Sequence, residues 1–81
     1  MIPVYAFLEG DTIALLLLAT SSDTCDSLVR KLLQMAKARV RPEGEYILLL
    51  NGKKQSGEAS IKDMELSPLD RIDVRKKRGA T

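Results

Sequence analysis

The chain has 81 residues, 13 Lys and Arg against 11 Asp and Glu, a formal net charge of +2, no histidine and one cysteine. One small domain of this length must offset an ordering entropy of order 100 kcal/mol with a single core, which leaves little room for a deep catalytic cleft. The lack of histidine removes the commonest general base and transition-metal ligand, a lone cysteine forms no internal disulfide, and a near-balanced charge calls for no nucleic acid, so a non-enzymatic protein of a reducing cytoplasm is expected.

In chain order, Ile2 to Leu8 is rich in β-branched and aromatic residues and reads as a strand, with Pro3 early enough to be tolerated. Glu9-Gly10-Asp11 is a turn and Thr12 to Ala19 a second strand, giving an antiparallel hairpin. Asp23 to Val40 is the one long helical pattern. Cys25, Leu28, Val29, Leu32, Leu33, Met35, Ala36 and Val40 form its apolar side. Asp23 or Thr24 supplies an N-cap, Lys37, Arg39 and Arg41 suit the negative end of the helix dipole, and Pro42 ends the helix.

Glu45 to Leu50 is the third strand, closed by the turn dipeptide Asn51-Gly52, and Lys53 to Gln55 is a short edge strand. Ile61 to Leu66 is a helical turn or irregular segment, and Ser67-Pro68-Leu69-Asp70 a turn with proline second. Arg71 to Arg75 is the last strand, with Ile72 and Val74 inward and Arg71, Asp73 and Arg75 outward. A hairpin, a crossover helix and a C-terminal strand returning to the sheet describe an α+β fold of the β-grasp type, a mixed four- to five-stranded sheet packed on one main helix. The expected organisation is one domain over residues 1–75 and a flexible basic tail over 76–81. No apolar run approaches the roughly 20 residues that span a bilayer, and the N-terminus carries no basic targeting region.

Three blocks carry a resemblance. Pro3-Val4-x-Ala6-x-x-Glu9-x-Asp11, Arg39-Val40-x-Pro42-x-Gly44 and Leu66-x-Pro68-x-Asp70-x-Ile72-Asp73-Val74 are similar, in this order, to the small B (gamma) subunit of toluene-type bacterial multicomponent monooxygenases, a ubiquitin-like β-grasp family. Ile47-Leu48-Leu49-Leu50, where that family is more basic, and the basic Arg75-Lys76-Lys77-Arg78, where it tends to be acidic, mark a diverged member. The resemblance implies an accessory, non-catalytic subunit without a cofactor or small-molecule substrate of its own, docking on the large subunit of a di-iron hydrocarbon hydroxylase. The alternative is a ubiquitin-like modifier or sulfur carrier acting through a processed C-terminus. The ending Arg78-Gly79-Ala80-Thr81, with a single non-terminal glycine, suits that role poorly.

The partner surface is suggested by the strands themselves. A sheet covered by one helix should alternate apolar and polar residues, yet Ile13 to Ala19 and Tyr46 to Leu50 are apolar on both parities. If Val4, Ala6 and Leu8 face the helix, Tyr5 and Phe7 face away, and Ile47 and Leu49 join them in a patch suited to a protein contact. Cys25 reads as a small core residue, and Asp23 and Asp26 as helix-start carboxylates rather than an acid/base pair. The basic tail has no interleaved aromatics, which argues against specific nucleic-acid reading.

Overall fold

A computed structural model describes residues 1–77. The elements are β1 (Ile2–Leu8), β2 (Ala14–Ala19), α1 (Cys25–Ala36), β3 (Tyr46–Leu50), β4 (Lys53–Lys54) and β5 (Arg71–Lys76). They build one five-stranded sheet in the order β2-β1-β5-β3-β4, with α1 on one face. β1 and β5 pair in parallel at the centre, whereas β1–β2, β3–β5 and β3–β4 are antiparallel. This is the expected mixed sheet on one helix.

The period-2 alternation of the strands sends Val4, Ala6, Leu8, Leu17, Ala19, Leu48, Leu50, Ile72 and Val74 to the helix side, where all are buried against Cys25, Leu28, Leu32 and Ala36. Residues 61–65 form a hydrogen-bonded turn, and the segment adds Ile61, Met64 and Leu66 to this core. The helix begins with a capping box. Thr24 Oγ1 accepts from the Ser27 N–H at 3.2 Å, and Ser27 Oγ accepts from the Thr24 N–H at 2.7 Å. Ala59 and Gly57 carbonyls accept from the Cys25 and Asp26 N–H groups, tying the helix start to the loop that follows β4.

Several boundaries differ from the sequence reading. The helix ends at Ala36, short of Val40, with Lys37 as C-cap, so its last turn carries no basic residue. Ala36 O accepts from both the Arg39 and Val40 N–H groups, and the chain folds back there. Arg39 then donates to Asp11 at 3.0–3.2 Å, a tertiary ion pair in place of the expected dipole contact. Met35 is 45% exposed rather than buried, because it lies on the flank of the stripe beside edge strand β2. β2 starts at Ala14 instead of Thr12, since Asp11 is drawn into the turn by Arg39 and by the Ile13 N–H. At the other end β5 takes in Lys76, expected in the tail. Lys76 pairs with Tyr46, its N–H donates to Glu9 Oε1 at 2.8 Å, and the Lys77 N–H donates to Glu45 O. The rest of the expected tail, 78–81, lies outside the described residues.

Candidate functional site

Of the helix-start groups singled out in the sequence, Cys25 and Asp23 are absorbed into the fold, while Asp26 is exposed. Cys25 is 2% exposed, and burial, helped by the Asp26 carboxylate, pushes its thiol above the usual range, the opposite of an activated nucleophile. Asp23 is likewise buried. Burial acts to raise its pKa, but hydrogen bonds from Lys31 Nζ, the Thr20 N–H and Ser27 Oγ outweigh it and hold the carboxyl at about 2. It is a structural anion locking the helix start to the end of β2. Asp11 is lowered chiefly by its hydrogen bond from Arg39, a contact between the β1–β2 turn and the segment after α1. Among the described residues no three His, Cys, Asp or Glu side chains gather as metal ligands, and no helix is long and apolar enough to cross a membrane.

The surface feature that remains is the sheet face opposite the helix. The strand register assembles it in rows. Leu16 pairs with Tyr5 and Tyr5 with Arg71; Ala14, Phe7, Asp73, Leu49 and Lys54 form the next row; Arg75 pairs with Ile47. Tyr5, Phe7, Ile47 and Leu49, read from the sequence as a patch, therefore share this face. Tyr5 is 46% exposed, whereas the other three are half-buried. Phe7 is covered by the Arg71 guanidinium, 4.1 Å from the ring centroid, and Arg71 in turn donates to Asp73 at 3.2 Å.

Leu16 and Leu18, 53% and 48% exposed and outside the patch expected from the sequence, lie in the same rows as Tyr5 and Pro3. The surplus of leucines in β2 was the available signal. The sequence does not show that β2 is an edge strand, with no neighbour on its far side to shield them. Together Leu16, Leu18, Tyr5 and Phe7 form a contiguous apolar surface at the β1–β2 end, an arrangement that excludes water well on contact with another protein and has no chemistry of its own.

A family model described as toluene-4-monooxygenase system protein B (TmoB) matches residues 1–75. Among solved structures, the chain is similar to a chain of the toluene 4 monooxygenase HD complex with the inhibitor 4-bromobenzoate, at 25% identity and a TM-score of 0.85, covering 94% of this chain and 98% of that one. It is also similar to the ubiquitin of Caldiarchaeum subterraneum, at 14% identity and a TM-score of 0.76, covering 99% and 98%. That second likeness establishes the ubiquitin-like β-grasp fold and nothing of activity. No curated protein matches the chain.

Proposed function

The chain belongs to the toluene-4-monooxygenase system protein B family, and from that premise we propose that it is a non-catalytic accessory subunit that docks, through the sheet face opposite α1, on the large subunit of a toluene-type di-iron hydroxylase. The observation that carries this reading is the uncovered apolar surface of Tyr5, Leu16 and Leu18, extended by Phe7, Ile47 and Leu49. Apolar area left in water on a chain this small gains its full burial energy, roughly 25 cal/mol per Å², only when a partner covers it. Two features support leaving the iron and oxygen chemistry on the partner. The chain has no histidine for a Glu-x-x-His ligand pair, and its one thiol is buried.

Co-purification with the hydroxylase large subunit tests this reading. Replacing both Tyr5 and Leu49 with Ser should abolish association while circular dichroism shows the isolated domain still folded. Retained association of the folded double variant would overturn the assignment of this face.

A further inference from the structure

Charge is unevenly divided over the same sheet face. On β1 and β2 its outward residues are Pro3, Tyr5, Phe7, Ala14, Leu16 and Leu18, none of them charged. On the β5, β3 and β4 side lie Arg71, Arg75 and Lys54, interleaved with Ile47 and Leu49. Asp73 is the carboxylate among these outward strand residues, and Arg71 engages it with both Nε and Nη2. Glu9, which borders the shallow depression between Arg75, Lys54, Ile47 and Leu49, accepts the Lys76 N–H. Arg75 and Lys54 are exposed and take part in no salt bridge among the described residues.

Resting on the docking role proposed above, we infer that the partner presents an acidic strip beside an apolar patch, so that carboxylates meet Arg75 and Lys54 at the β3–β4 end while Leu16, Leu18 and Tyr5 are covered at the β2 end. An apolar surface alone sets no orientation. A face that is apolar at one end and cationic at the other fits a complementary surface in one sense and is repelled in the reverse one. Exposed cations of this kind act mainly on the encounter, accelerating association in a salt-dependent way.

The test is the association rate of the full chain with hydroxylase large subunit prepared without it, at low and high salt. Arg75→Glu combined with Lys54→Glu should slow association about tenfold or more at low ionic strength, with the difference closing as salt screens the charges. Arg75→Gln with Lys54→Gln should give a smaller change of the same sign, and Lys62→Glu, on the turn at 61–65, none. A wild-type rate indifferent to salt, or a charge-reversed variant that associates as fast as wild type, would overturn the acidic strip and leave the docking role standing. Failure of the wild-type chain to associate at any salt, including a result in which it is retained on double-stranded DNA instead, would overturn both.

Discussion

Of the two N-cap candidates at the start of α1, Thr24 takes the cap and Asp23 takes a different role. A carboxylate just ahead of a helix suits an N-cap, but Thr24, extended at φ −118°, holds that position, and Asp23 is drawn inward by Lys31, Thr20 and Ser27. No local pattern announces a partner eight residues on and a strand end behind. Its folded pKa, about 2, lies below the ordinary 3.8, so its contribution to stability is fully present above pH 3.8 and is lost as pH falls toward 2. Asp23→Asn should lower stability at neutral pH by about 1–2 kcal/mol, a figure reduced for screening of the part-exposed Lys31. The variant should also show a flatter fall in urea midpoint between pH 4 and pH 2, and equal pH profiles for variant and wild type would contradict this account.

Elements closed by local chemistry were readable. Asn51-Gly52 forms the two-residue connection between Leu50 and Lys53, and both turn residues have positive φ, 51° and 88°, as a hairpin turn of this length requires. Gly52→Ala meets no steric neighbour and changes only the backbone preference. It should cost about 1 kcal/mol and lower the melting temperature by about 4–8 °C, readable by scanning calorimetry. An unchanged melting temperature would show that the turn relaxes freely. The end of α1 was not readable in the same way. Lys37 to Val40 have acceptable helix propensity, and the helix stops because Arg39 gains Asp11 and Val40 packs on the core, contacts set by the β1–β2 turn.

At the scale of the whole molecule, Leu69 combines two unfavourable features. It is 57% exposed, and at φ 66° it holds the left-handed third position of the Ser67–Asp70 turn, where glycine is the usual residue. Its N–H donates to Pro3 O, so it continues the line of β5 beside Pro3 and Leu18 at the apolar end of the sheet face. In the docking reading proposed above, Leu69 would extend the apolar end of the face next to Pro3 and Leu18. Leu69→Gly should stabilise the isolated domain by about 0.5–1 kcal/mol in urea unfolding while weakening association with the large subunit severalfold. Loss of stability would contradict the strain at this φ, and association at the wild-type level would put Leu69 outside the proposed docking face.

What could be read along the chain was whatever depends on near neighbours. The strand parities, the hairpin turn, the helix and its apolar stripe follow from period and turn chemistry, and three spaced blocks carried the family resemblance. The sheet order could not be read in this way. Pairing β5 in parallel with β1 places the first and last strands at the centre and pushes β2 to the edge, and that placement leaves Leu16 and Leu18 half exposed and Met35 without cover. Tyr5, Phe7, Ile47 and Leu49 thus share one face, as strand parity predicts, but the most exposed apolar residues of that face are Leu16 and Leu18. Parity is a property of a strand, while exposure depends on what lies across from it, and these neighbours are far away in the chain.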